Sequence, residues 1–136
     1  MIKIIAGNKG SGKTKRLIDM TNDTAKTASG NIVFLDKDNS YMYEIDRAVR
    51  FVNVNDYRVA SAEMFLGFLG GMLASNYDIS TIFVDAFLKL VKTEVENTED
   101  FFRRLEELSA KHNVEFVLSV NVDDDLAPEF IKKYFI

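Results

Sequence analysis

The run IIAGNKGSGKTKRLI, from Ile4 to Ile18, passes from apolar residues through three glycines to a lysine–threonine pair, and then into a helical pattern. It satisfies every fixed position of G-x-x-x-x-G-K-[ST], with Gly7, Gly12, Lys13 and Thr14 in place and Asn8, Lys9, Gly10 and Ser11 between them. At ordinary residue frequencies such a match arises by accident in roughly one chain of this length in a few hundred. The setting reinforces it. MIKIIA before the loop reads as a short buried strand, and KTKRLIDMTNDTAKTA after it reads as a helix. In a strand–loop–helix of this kind, the backbone N–H groups of the glycine-rich turn point inward and cradle anionic oxygens. The helix adds its unsatisfied N–H groups and positive dipole end. Lys13 would then reach the β- and γ-phosphates of a nucleotide, and the Thr14 hydroxyl would ligate Mg²⁺. The plainer alternative is a glycine-rich turn with no ligand.

The 136 residues suit one domain, taken as 1–136, with enough chain to bury a core. No cysteine is present, which removes disulfides and thiolate metal sites and fits a reducing, cytoplasmic setting. The N-terminus does not show the order of a secretory signal. The longest apolar stretch, MFLGFLGGMLA (Met64–Ala74), is too short to span a bilayer and reads as a buried helix, so no membrane association is expected. Its glycines, Gly67, Gly70 and Gly71, would let that helix lie close to a sheet, or else open a groove for a partner. The net charge of −4 offers no footprint for nucleic acid.

Strand-length apolar runs recur between helical patterns: Ile2–Ala6, Asn31–Asp36 after a helix stop at Gly30, a weaker Val49–Val54, Thr81–Asp85 and Glu115–Val120. Their near-continuous apolar character suits strands covered on both faces. The clearest helix is ENTEDFFRRLEELSAKHN. Thr98 is its expected cap, Phe101, Phe102, Leu105 and Leu108 form its buried stripe, and Asn113 ends it in a left-handed turn. A short last helix is expected near Pro128. The pattern predicts an α/β fold with a mostly parallel five-stranded sheet and helices on both faces.

Ligands of such sheets bind at the carboxyl ends of strands. The residues found there are Gly7, Asp36 with Asp38, Asp85, and Ser119 with Asn121. Asp85 closes TIFVD, an apolar strand ending in an acid, and is the expected metal residue beside Thr14. A helix cap is its simpler role. Tyr41 and Tyr43 follow the second strand and are candidates for stacking on a base or for packing. His112 at a helix end and the run Asp123–Asp125 read as solvated.

With the Gly7–Thr14 loop and Asp85 in hand, the chain resembles P-loop NTPases over nearly its whole length. It is more similar to the RecA/KaiC-like branch than to GTPases, because VNVDDD (Val120–Asp125) lacks the lysine and spacing of a guanine motif. The resemblance implies a three-layer fold with the fifth strand inserted between the first and fourth, in the order 1-5-4-2-3. It also implies ATP as the favoured nucleotide, Mg²⁺ as cofactor, and Asn121 or Ser119 as a polar sensor. Many relatives of this kind place a water-activating Glu directly after the acidic strand end, where this chain has Ala86. The remaining candidate for a catalytic or metal-shell role is Asp36, one methylene shorter than a Glu, and a turn-forming Asp-Lys-Asp-Asn cluster is its plainer reading. The expectation is therefore a Mg²⁺-dependent ATP-binding protein, a slow ATPase or nucleotide switch, with Lys13 and Asp36 as its reactive residues. A weaker similarity is to thymidine-kinase-type enzymes, whose loop GNKGSGKT matches. Those are longer, carry Glu after the acidic Asp and hold a cysteine-bound zinc, none of which is present here. A nucleoside-type kinase and a non-hydrolysing nucleotide-binding module are the alternatives. With no arginine standing out as a finger, a homo-oligomer or a protein partner would be the source of one.

Overall fold

The computed structural model describes residues 1–136. Its core is a five-stranded, all-parallel sheet of β1 (Ile2–Gly7), β2 (Asn31–Asp36), β3 (Arg50–Asn53), β4 (Ile79–Val84) and β5 (Glu115–Asn121). The strand order is β1-β5-β4-β2-β3, the order the sequence resemblance implied. The helices are α1 (Lys13–Thr27), α2 (Ala62–Ser75), α3 (Phe87–Val91), α4 (Glu99–His112) and α5 (Glu129–Lys132). None is long and apolar enough to cross a membrane.

Side chains alternate along each strand between two apolar layers. Ile5, Phe34, Phe83 and Val117 pack with Leu17 and Ile18 of α1 on one face. Ile4, Leu35, Val84 and Leu118 pack with α2, α3, α4 and α5 on the other. Both faces of the sheet are thus covered, an arrangement compatible with a three-layer α/β fold. The larger layer is tied together by aromatic rings: Phe87 lies 4.8 Å from Phe101 between centroids, and Phe101 meets Phe102 edge-on at 5.3 Å. Contacts of this kind add about 0.5–1.5 kcal/mol each beyond their burial. The free edge of β1 is covered by the chain's own end, where Ile4 N–H donates to Tyr134 O (2.8 Å) and Ile136 N–H to Ile4 O (3.0 Å).

Several local expectations are corrected. β4 begins at Ile79, two residues earlier than expected, and stops at Val84, so Asp85 stands just beyond it. Thr98 occupies the cap position of α4, but its hydroxyl donates backward to Val95 O at 2.6 Å rather than capping the helix. α1 already ends at Thr27, ahead of the expected stop at Gly30. A Cβ there would press on the Asp78 carbonyl, so the glycine serves close backbone approach. Gly67, Gly70 and Gly71 have open space where their Cβ atoms would be, so they do not bring α2 closer to the sheet. Gly67 and Gly71 instead line a cleft of about 730 Å³ beside β3, on the side away from the Gly7–Thr14 loop.

Candidate functional site

β1, β4 and β5 deliver their carboxyl ends to one spot. Between β1 and α1 the loop turns through Gly10 (φ 81°) and Gly12 (φ 87°), left-handed conformations that glycine adopts without strain. A Cβ on Gly7 would collide with the Ser11 hydroxyl, so this position requires glycine for close approach. The loop closes with Ser11 N–H donating to Asn8 O at 3.1 Å.

The start of α1 is electrostatically unusual. No side chain caps it, and no acidic residue lies in its first turn. Lys13, Lys15 and Arg16 stand there instead. Cations at the positive end of a helix are unfavourable, by about 0.3–1 kcal/mol each when exposed. The first N–H groups of the helix have no acceptor within it. The first turn of α1 therefore concentrates positive charge with no side-chain partner for its N–H groups.

Thr14 and Asp85 meet across the site. The Thr14 hydroxyl lies 3.2 and 3.1 Å from the two Asp85 carboxylate oxygens, to which it donates. Asp85 is buried and accepts a second hydrogen bond, from the Ser119 hydroxyl at 2.5 Å. Ser119 in turn accepts the Ala86 N–H at 2.9 Å. Ser119 thus fixes the orientation of Asp85, a role its position at a strand end only hinted at. Lys13 Nζ donates to Asn8 O (2.9 Å) and to Asn121 Oδ1 (3.3 Å), so Asn121 does reach the loop. Partial burial lowers the Lys13 pKa, the charge of Asp85 opposes that shift, and the nearby Lys89 adds to it.

These groups line a cleft of about 470 Å³, together with Lys9, Lys37, Tyr41, Lys89, Thr93 and Glu94. Four lysines therefore converge on one cleft of a chain whose net charge is −4. A second hollow of about 480 Å³ continues past Gly12 and Tyr41 to Ile18, Asp19 and Glu44. Tyr41 borders both, whereas Tyr43 points into solvent, 92% exposed.

Asp36 is placed differently. It is fully buried and does not line the cleft. One carboxylate oxygen accepts the Lys37 N–H at 2.7 Å, and the other has no partner. Burial raises its pKa to about 6, the Lys37 N–H opposes the rise, and the charge of Asp85 adds to it. Its neighbour Asp38 behaves oppositely. Hydrogen bonds from Lys37 and from Ser40 hold it down at about 2, with Lys37 Nζ 2.9 Å from its carboxylate. Lys37 and Asp38 are thus engaged with each other beside the cleft.

Elsewhere, His112 is the last residue of α4. Asp123 accepts the Asp125 N–H at 2.8 Å in a turn of its own. No group of three or more His, Cys, Asp or Glu side chains stands ready to hold a metal. The Thr14–Asp85 pair fits a different kind of ion: hard oxygen donors in small number suit Mg²⁺, which keeps several waters and takes further ligands from phosphate.

Sequence reasoning missed Lys37, Lys89, Thr93 and Glu94 as parts of the cleft wall. Lys89 follows the acidic strand end closely, at the fourth residue after Asp85, and that spacing was its only sequence signal. Compared with known families and with curated proteins, the chain matches no family model and no curated sequence.

Proposed function

We propose that this chain is a P-loop nucleotide-binding protein of the RecA/KaiC-like kind, which binds Mg·ATP and acts as a slow ATPase or nucleotide switch. The observation that carries the reading is the pairing of an uncapped, cation-bearing helix start at Gly7–Thr14 with a Thr14–Asp85 contact of 3.1–3.2 Å on the same cleft. The first half suits a polyphosphate and the second suits its metal. In this reading the loop N–H groups and Lys13 hold the phosphates. Thr14 would ligate Mg²⁺, and Asp85 would hold the water bound to it. The bound ion would neutralise charge on the phosphates. Asn121 positions Lys13. Asp36 offers an unpartnered oxygen, but it is fully buried and does not line the cleft.

The reading is tested by thermal denaturation of the full chain with Mg·ATP, metal-free ATP and Mg·GTP. A ligand that binds only the folded state, at about 100 times its Kd, stabilises by about 2.7 kcal/mol. Mg·ATP should raise the Tm by several degrees and metal-free ATP by less. An unchanged Tm at millimolar Mg·ATP would refute it.

One observation favours a second reading, transfer of phosphate to a small molecule. The cleft runs beyond the loop to Leu88, Thr93 and Glu94, which leaves room for an acceptor. Consumption of ATP that depends on an added nucleoside would select this reading over hydrolysis.

A further inference from the structure

We propose that Lys89, carried by α3, contacts the terminal phosphate of a bound nucleoside triphosphate, so that a single chain discriminates triphosphate from diphosphate without a cation from another subunit. This rests on the nucleotide-binding reading above.

The geometry starts at Ala86. Its backbone is left-handed (φ 54°, ψ 47°), a conformation that strains any residue with a Cβ. Strain of this kind persists where surrounding structure enforces it, and it concentrates at working sites. Here the Ala86 N–H is held by Ser119 at 2.9 Å. The Ala86 carbonyl then accepts from Lys89 N (3.0 Å) and Leu90 N (3.2 Å), which starts α3 immediately after Asp85. Phe87, Leu90 and Val91 are buried and anchor the short helix in the core. Lys89 is left exposed, on the wall of the cleft that also holds Lys13, Thr14 and Asp85.

The charges argue the same way. Lys89 forms no ion pair and no side-chain hydrogen bond, whereas Lys37 is spoken for by Asp38. Lys13 and Lys89 line the same cleft. The carboxylate of the same cleft, Asp85, already accepts from Thr14 and Ser119. Two like charges converging on a shared cleft are satisfied by an anion with charge to spare. If the loop holds the inner phosphates and Lys13 bridges the last two, the group approached from the Asp85 side is the outermost one. A lysine suits this task, since its ammonium is a compact charge on a flexible stem with three donors. Ala86, where a water-activating Glu is absent, thus has a use of its own: it aims the next turn of chain back over the site.

The test is calorimetric titration of Mg·ADP and of a Mg-bound non-hydrolysable ATP analogue into wild type, Lys89→Met, Lys89→Arg and Lys9→Met. Lys9 is the control, since it is also an exposed lysine of the cleft. A charge-assisted contact at a partly hydrated site corresponds to about a tenfold change in affinity. Lys89→Met should weaken the triphosphate analogue about tenfold and leave ADP within twofold, and Lys89→Arg should recover most of the loss. Lys9→Met should not discriminate between the two ligands. Equal losses for both ligands in Lys89→Met, or no loss, would overturn the assignment while leaving nucleotide binding intact. If wild type binds neither ligand, the nucleotide reading itself fails and this assignment with it.

Discussion

Replacing Asp36 by asparagine should change how stability depends on pH, and the size of the change follows from the burial of this one carboxyl. Asp36 is fully buried, one of its oxygens is unpartnered, and its pKa is raised from 3.8 to about 6. Between those values the folded protein holds a proton that the unfolded chain has released. A group raised in this way contributes stability that is fully present below about pH 4 and is lost as pH rises through about 6. A shift of about two units corresponds to about 3 kcal/mol. Most of that falls between pH 4 and pH 7.5, giving a loss of about 2–3 kcal/mol. Asparagine has no proton to lose, and its carbonyl can still accept the Lys37 N–H. Any fixed cost of its amide group shifts the curve without tilting it. Urea unfolding of wild type and Asp36→Asn, without nucleotide and with a chelator, measures the difference directly. The variant should gain about 2–3 kcal/mol on wild type between pH 4 and pH 7.5. A difference that stays constant, or that shrinks as pH rises, would refute the burial argument.

Other outcomes follow from the same geometry. Thr14→Ala and Asp85→Asn should weaken Mg·ATP binding more than metal-free ATP binding, with a loss of metal affinity of roughly 10- to 100-fold for Asp85; equal losses with and without Mg²⁺ would make the pair a structural contact only. Turnover by the isolated chain should lie well below the ~1–100 s⁻¹ of kinases, because Ala86 activates no water and Asp36 is buried and does not line the cleft. Asp36→Ala should leave the remaining phosphate release and the nucleotide affinity largely unchanged, because Asp36 does not line the cleft, and a large loss of turnover at preserved affinity would show that its carboxyl reaches the reacting water. Ala86→Gly should raise thermal stability by about 0.5–1 kcal/mol by relieving the left-handed strain, and a destabilised variant would show that the strain is small.

The parts of the molecule legible in the sequence are those where one local rule dominates. Near-continuous apolar runs located all five strands, because strands of a parallel sheet are buried on both faces and lose their alternation. The Gly7–Thr14 loop was legible because Gly10 and Gly12 must turn left-handed and Gly7 must make room for Ser11. Asp85 was legible as an acid ending an apolar run. What escaped depends on direction rather than composition. Alanine has no preference for the left-handed region, so nothing in its identity announced that Ala86 would turn the chain and bring Lys89 to the cleft. Asp36 was read as facing the site, but a strand-end residue is exposed or sealed according to the loop that follows it. Here Lys37 and Asp38 pair with each other beside that strand end. The glycines of α2 suggested close packing, yet packing depends on the opposite surface, and none lies against them.

The central claim is that Gly7–Thr14 binds the phosphates of a nucleotide through Lys13. It is met most directly by titrating Mg·ATP into wild type and Lys13→Ala. A charge-assisted contact to phosphate is worth about 1.5–3 kcal/mol, so the variant should bind roughly 10- to 150-fold more weakly. Its fold should be unchanged, since Lys13 bonds only to Asn8 and Asn121 at the surface. A Lys13→Ala chain that binds Mg·ATP as tightly as wild type would contradict the account.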